Sequence, residues 1–132
     1  KENDNLLVDM GEHTFTVLNL YPYNNGHLMI VPKRHTNDFS GLTKEELTEC
    51  FEKLQFAEKA LRKVLNPHGF NIGANIGRVA GAGIEDHIHF HIVPRWNGDS
   101  NFMPIIGDVK VISQDLAETK SKLLQAYSEI KR

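Results

Sequence analysis

The sequence predicts an α+β domain, in which antiparallel strands and two helices occupy separate stretches of the chain. Several short runs are rich in β-branched and aromatic residues and are bounded by turn-forming residues. Two longer segments carry apolar residues at three- and four-residue spacing, which is the period of an amphipathic helix. A length of 132 residues suits one compact domain, so we expect residues 1–132 to form a single domain.

The first half of the chain is predicted to hold two strands and one helix. Residues 14–20 and 27–32 are strand-like, and the proline- and glycine-containing turn between them favours an antiparallel pair. Thr43 starts a capping box, which predicts that a helix begins after it. Apolar residues then recur at helical spacing until the helix-breaking residues 66–69, where we expect the helix to end.

The second half is predicted to hold two more strands and a second helix. Residues 70–76 are a strand that leads into the glycine-rich stretch 77–83, and residues 87–94 are the next strand. Residues 109–112 are expected to form a short extended piece because they are rich in β-branched residues. Residues 115–131 then carry the apolar spacing of an amphipathic helix.

Composition excludes several classes of function. Fifteen basic and seventeen acidic residues give a formal charge of −2, which does not indicate binding to nucleic acid or to an anionic membrane. No apolar run approaches the roughly 20 residues that span a bilayer. Residues 1–5 lack the apolar core of a signal peptide and an initiator methionine, so we expect native residues to precede Lys1. The single cysteine, Cys50, is expected to be an inert buried thiol in a cytoplasmic protein.

The informative segment is residues 87–94, in which histidines alternate with apolar residues. Alternation in a strand puts the histidines on one face and the apolar side chains on the other, where they can enter the core. A row of three histidines on one face, behind a glycine-rich loop, indicates a functional site. The histidines of the row are His87, His89 and His91.

A metal site is the first alternative interpretation of this row. At about 3.3 Å per residue, His87 and His91 stand roughly 13 Å apart along a strand. Metal–nitrogen bonds of about 2.0–2.1 Å require close convergence, so one ion can take at most two neighbouring histidines. We therefore expect no metal and no cofactor. A row of imidazoles better suits an extended anion such as a phosphate chain.

The row of histidines could catalyse a displacement at phosphorus. An imidazole whose attacking nitrogen is unprotonated can act as a nucleophile on phosphorus, and a neighbouring histidine can protonate the leaving group. The backbone N–H groups of Gly81, Ala82 and Gly83 can bind the charge that develops on the phosphoryl oxygens.

The run His-Ile-His-Phe-His-Ile-Val at residues 87–93 resembles the signature of the histidine triad family, His-φ-His-φ-His-φ-φ with φ hydrophobic. The resemblance extends from about Leu6 to Trp96. Residues 80–86 and 95–99 look most like bacterial members near the fragile histidine triad hydrolases and the small diadenosine tetraphosphate phosphorylases. It implies the family's fold, catalysis without a metal cofactor, and a homodimer whose sheet continues across the two-fold axis.

The resemblance also implies a role for each matching residue. His89 would form a nucleotidyl-histidine, and His91 would contact the phosphate and assist the leaving group. His87 would support the hydrogen bonding of the strand, and the upstream His27 would buttress the row. The residues that match nucleotide-binding positions of the family are Asn19 for the ribose, Leu18 and Leu20 for the base, and Asn75, Gly81, Ala82 and Gly83 for the phosphate.

The chain departs from the family at the phosphate loop and the N-terminus. Ala82-Gly83 stands where many relatives have a Gln or Ser pair, so side-chain donors are fewer there. The cysteine pair with which many bacterial relatives bind zinc is absent. Three further histidines match no motif and are expected on the surface. They are His13, His35 and His68.

Together these observations predict an enzyme that attacks the α-phosphate of an adenine nucleotide such as a diadenosine polyphosphate. Water as the second acceptor would give AMP, and inorganic phosphate would give ADP by phosphorolysis. An adenosine phosphoramidase would use the same residues. Two alternatives from other classes are a non-catalytic nucleotide-binding module and a histidine metal-binding protein, and both fit the intact row of histidines less well.

Overall fold

The computed structural model describes residues 6–19, 26–77, 87–98 and 109–131. Leu20, Gly81, Ala82 and Gly83, four of the predicted binding residues, lie outside these ranges. The elements in chain order are β1 (Leu7–Met10), β2 (Thr14–Leu18), β3 (Leu28–Pro32), a short 3-10 helix (Phe39–Gly41), α1 (Lys44–Leu65), β4 (Gly69–Ala74), β5 (Phe90–Arg95) and α2 (Val109–Lys131).

The five strands form one antiparallel sheet in the order β1-β2-β3-β5-β4. The predicted α+β class and the predicted pairing of β2 with β3 are both confirmed, the latter with Leu18 opposite Leu28. β5 lies between β3 and β4, so the strand that carries the third histidine of the row is central. β1 and β4 are the edge strands.

One face of the sheet and both helices enclose the core. The side chains that β2, β3 and β5 contribute to this core belong to one alternating set, as the pleat requires. α1 and α2 cover this face with their own apolar stripes. The core includes Leu18, Leu28, Ile30, Phe90 and Ile92 from the sheet and Leu54, Leu61, Leu123 and Tyr127 from the helices.

α1 begins and ends where the sequence predicts. The side chain of Thr43 accepts a hydrogen bond from the backbone N–H of Glu46, and Glu46 accepts one from the backbone N–H of Thr43, which completes the capping box. At the other end Asn66 takes the left-handed conformation, with φ 50°, and its N–H bonds carbonyls of the last turn.

One prediction about the elements was wrong, and one strand was missed. Residues 109–112, predicted to be extended, form the first turn of α2. Once a helix is nucleated by the amphipathic segment that follows, each further residue adds one hydrogen bond. The β-branched residues cost only about 0.7 kcal/mol each or less. The edge strand β1 was not predicted, because its four residues, LVDM, show no clear alternation.

The histidine-bearing strand is shorter than predicted. β5 begins at Phe90 rather than at residue 87, because the N–H of Ile88 donates to the carbonyl of Thr36 and leaves the ladder. The predicted alternation nevertheless holds in burial: Ile88, Phe90 and Ile92 are buried and the intervening histidines are half-buried. β4 likewise spans Gly69–Ala74 rather than residues 70–76.

Within the described ranges, neither helix is long and apolar enough to cross a membrane.

A buried carboxylate ties both helices to the edge strand. The Asp9 side chain on β1 accepts hydrogen bonds from Nζ of Lys53 on α1, at 2.7 Å, and from Nζ of Lys131 at the end of α2. Burial by itself raises the pKa of Asp9, but the hydrogen bonds from Lys131 and Lys53 outweigh it, and the net pKa is lowered.

We expect Asp9→Asn to lower the free energy of unfolding by about 2 kcal/mol, because both lysines lose a charged acceptor. Urea unfolding followed by circular dichroism measures it. Glu58→Gln is the matched control: it removes an exposed i,i+4 ion pair with Arg62 and should cost no more than about 0.5 kcal/mol. Equal effects of the two substitutions would contradict the role of Asp9 in fixing both helices to β1.

Candidate active site

Two of the predicted site histidines meet across neighbouring strands. His27 lies directly before β3, and His91 lies on β5 opposite Met29 of β3. Nε2 of His27 is 3.0 Å from Nδ1 of His91. His27 is only 3% exposed, so its imidazole is held by its surroundings rather than by solvent. The structure thus brings together the upstream histidine and the third histidine of the row.

Asn19 extends this contact by one more side chain. It follows β2, and its backbone N–H donates to the carbonyl of His27 at 2.9 Å. Its side-chain Nδ2 lies 2.9 Å from Nδ1 of His27. The three side chains Asn19, His27 and His91 therefore form one hydrogen-bonded chain, which we call the relay.

Both imidazoles of the relay are neutral near neutral pH. Burial, followed by the proximity of His91 and His89, lowers the pKa of His27 to about 3. Burial, followed by the proximity of His89, lowers the pKa of His91 to about 4. Nε2 of His91 is buried and has no hydrogen-bond partner among the described residues. Such an atom is rare in a folded protein, and here it lies on the ring next to His89, so a hydrogen bond from this nitrogen is left for a ligand.

His89, the middle histidine, is oriented by the backbone that directly precedes β5. Its Nδ1 lies 3.3 Å from the carbonyl oxygen of His87, so this nitrogen carries the proton and donates. A neutral ring with its proton on Nδ1 has its lone pair on Nε2. The rings of His89 and His91 are 4.9 Å apart and nearly perpendicular. In the neutral form of His89, the lone pair of Nε2 thus stands beside the ring that ends the relay.

His87 is held from the other side by the end of β3 and by the segment that follows it. Its Nε2 donates to the carbonyl oxygen of Pro32 at 2.9 Å. The ring of His35 packs edge-on against the His87 ring, with centroids 4.9 Å apart. His35 was expected to be a surface histidine without a role, and it is exposed, but it also contacts the row. The pairing of β3 with the histidine strand carries this segment there, which sequence spacing alone does not reveal.

The predicted base-binding residue Leu18 lies on the other face of the sheet. It is 1% exposed and packs in the core beneath the helices. The register pairs Val17 with Met29 and Met29 with His91, so Val17 shares the face of the histidines. Strand alternation counted back from Asn19 points to the same residue. A role for Leu18 in base binding stays a prediction.

Three further residues named from the sequence lie in different connecting segments. Asn75 follows β4, whose Gly73 pairs with His91, and Asn75 is exposed. His68, expected on the surface, is exposed, and its Nδ1 accepts a hydrogen bond from the N–H of Asn97. His13 lies in the turn between β1 and β2 and is half-buried.

This arrangement offers a nucleophile and a donor side by side. In the neutral tautomer with its proton on Nδ1, Nε2 of His89 has a lone pair for an electrophilic centre. Nε2 of His91 lies at the end of the relay and is buried. At this position it can donate a hydrogen bond to an anionic oxygen bound next to His89. In the described part of the chain, no group of three His, Cys, Asp or Glu side chains could hold a metal ion.

Comparisons with known proteins agree with this geometry. The model of the HIT domain matches residues 1–98. An AP-4-A phosphorylase from Mycobacterium tuberculosis is 46% identical over 127 residues, which cover 96% of this chain and 65% of the relative. A bis(5'-nucleosyl)-tetraphosphatase (asymmetrical) from Schizosaccharomyces pombe is 34% identical over 82 residues, which cover 62% of this chain and 44% of the relative.

Solved structures share the fold. The crystal structure of a zinc-bound histidine triad family protein from Mycobacterium smegmatis superposes with a TM-score of 0.78 and 28% sequence identity, over 95% of this chain and 85% of that one. The chain spans just under two thirds of the length of the curated phosphorylase that it matches. With the triad geometry, the domain match and the relatives in agreement, this chain belongs to the HIT, or histidine triad, family.

Proposed function

We propose that the protein attacks the α-phosphate of an adenine dinucleotide, such as diadenosine tetraphosphate, and passes the nucleotidyl group through His89 to a second acceptor. The observation that carries this proposal is the orientation of His89. Its Nδ1–H is engaged by the carbonyl of His87, so the lone pair of Nε2 is directed elsewhere. A nucleophilic histidine needs this tautomer.

The reaction then proceeds in two displacements. Nε2 of His89 forms a bond to the α-phosphorus while the bond from phosphorus to the bridging oxygen breaks. The polyphosphate leaves with its remaining nucleoside, and His91 donates a hydrogen bond at the phosphate. The acceptor then attacks the same phosphorus, the P–N bond breaks, and His89 returns to its starting form. Water as acceptor releases AMP, and inorganic phosphate releases ADP.

The nucleotide would be held by residues around this centre. Asn19 would accept a hydrogen bond from a ribose hydroxyl. Val17 and Met29, which share the face of the histidines, would contact the base together with Leu20. Leu18, which is buried on the other face of the sheet, would support this part of the site from the core. The phosphate would bind Asn75 and the backbone of Gly81, Ala82 and Gly83.

We propose inorganic phosphate as the acceptor. The relative with 46% identity is named a phosphorylase, which supports this choice. So does Arg95 at the end of β5: it is two pleats from His91 on the same side of the strand, and its Nη1 donates to Oδ1 of Asn71. A guanidinium fixed in this way could help to hold a second phosphate near the site.

The direct test is product identity. With diadenosine tetraphosphate and millimolar phosphate, separated by anion-exchange chromatography, we expect ADP and ATP. AMP and ATP that do not respond to phosphate would assign hydrolysis instead. Turnover of an adenosine phosphoramidate but not of the dinucleotide would assign a phosphoramidase. Tight nucleotide binding without any product would overturn the proposed activity in favour of a binding module.

We also infer a homodimer whose sheet continues across the two-fold axis. β4 is an edge strand, so its outer N–H and C=O groups have no neighbouring strand within the described part of the chain. Ile72 on β4 is 55% exposed, and Ile76 just beyond it is 52% exposed. Unpaired backbone together with exposed apolar side chains favours pairing with a second copy.

Ile72→Lys should therefore shift the protein from dimer to monomer in sedimentation-velocity runs, because a charge would be buried in the new interface. Met10→Lys is the matched control, since Met10 is 53% exposed on the opposite edge strand. A monomeric wild-type protein, or equal dissociation of both variants, would contradict an interface at β4.

Two further inferences concern the whole chain. We infer that residues 1–132 act as one domain, since α2 supplies Leu123, Ala126 and Tyr127 to the core that the sheet and α1 share.

We also infer a cytoplasmic location. Burial raises the pKa of the Cys50 thiol to about 11, which suits an inert thiol in a reducing compartment. Cell fractionation would test the location.

A further inference from the structure

The relay constrains where its protons lie. A neutral imidazole has one N–H donor and one acceptor nitrogen. Nδ2 of an asparagine only donates. In the orientation that the structure gives Asn19, Nδ1 of His27 must therefore accept, at 2.9 Å.

The rest of the relay follows from that first bond. With Nδ1 of His27 accepting, the ring proton of His27 lies on Nε2 and donates to Nδ1 of His91, at 3.0 Å. The proton of His91 then lies on its own Nε2. The pKa values of His27 and His91 are low, about 3 and about 4, so each ring carries only one proton near neutral pH.

The opposite end of the relay requires the same arrangement. Nε2 of His91 is buried without a partner among the described residues. If a phosphate binds there, its oxygens only accept hydrogen bonds, so this nitrogen must carry a proton. A relay that ran in the reverse direction would present a lone pair to the phosphate and repel it. The orientation of the Asn19 amide and the demand of the ligand thus agree.

We propose that Asn19 is a positioning residue that sets the tautomers of His27 and His91, and that the ribose of the bound nucleotide locks this setting. The amide oxygen of Asn19 has two lone pairs and can accept from a ribose hydroxyl while Nδ2 donates to His27. Turning the amide over would break both bonds. Occupancy of the nucleoside end of the site is therefore coupled to the proton at the phosphate end. The ribose part of this inference rests on the proposed function.

The tautomer assignment can be tested without any substrate. In ¹⁵N-labelled protein near neutral pH, the imidazole spectra should show His27 and His91 protonated on Nε2. A wild-type His91 protonated on Nδ1 would overturn the proposal. This spectrum reports on the relay whether or not the protein turns over a dinucleotide, so its failure is separate from a failure of the proposed function.

Asn19→Asp is the decisive variant. A carboxylate only accepts, so it should draw the proton of His27 to Nδ1 and that of His91 to Nδ1, which reverses both tautomers. Asn71→Asp, the same chemical change on the exposed part of β4, should leave both spectra unchanged. Unchanged tautomers in Asn19→Asp would overturn the proposal. If that variant does not fold, Asn19→Ala should give mixed tautomers, and a single tautomer there would overturn it equally.

Kinetics supply a second readout. An aspartate can still accept from the ribose, so KM for diadenosine tetraphosphate should stay within about twofold, while kcat falls roughly tenfold or more. The carboxylate also favours a protonated His27, which restores the proton on Nε2 of that ring. The kcat of Asn19→Asp should therefore recover as pH falls, unlike that of the wild type. A rise in KM alone, with no change in the pH profile, would reduce Asn19 to a ribose ligand.

Discussion

The pairing of β3 with β5 is the constraint on which the site depends. Met29 lies opposite His91, and this register sets His27 beside the third histidine of the row. The register is in turn fixed by burial, because a slip of one residue would turn Phe90 and Ile92 out of the core and the histidines into it. Hydrophobic packing under the helices therefore determines the geometry of polar chemistry on the opposite face.

Burial also sets the charge state of that chemistry. Desolvation keeps His27 and His91 neutral. Each neutral ring therefore has one nitrogen that donates a hydrogen bond and one that accepts. The fold controls the result with three contacts: the carbonyl of Pro32 for His87, the carbonyl of His87 for His89, and the Asn19 amide for His27. The site is thus organised by hydrogen-bond direction, with no fixed cation among the three contacts.

The sequence predicts the scaffold better than it predicts the contacts. The capping box at Thr43 and the alternation around His89 are local patterns, and local patterns survive into the structure. The first turn of α2 was misjudged because cooperative extension of a helix outweighs weak strand propensity. The contact of His35 with His87 could not be foreseen, because it depends on where β3 delivers the following segment. Leu18 and Val17 are neighbours on β2, and the register places Val17 on the face of the histidines and Leu18 in the core.

The central claim is that His89 carries the nucleotidyl group. The measurement that tests it most directly is mass spectrometry of protein mixed with diadenosine tetraphosphate, quenched in base during turnover and digested. An adenylyl group should be found on the peptide that contains His89, should be absent in His89→Asn, and should persist in His13→Asn, whose histidine lies in the turn between β1 and β2. Turnover without any adduct on His89, or an adduct that survives in His89→Asn, would contradict the account.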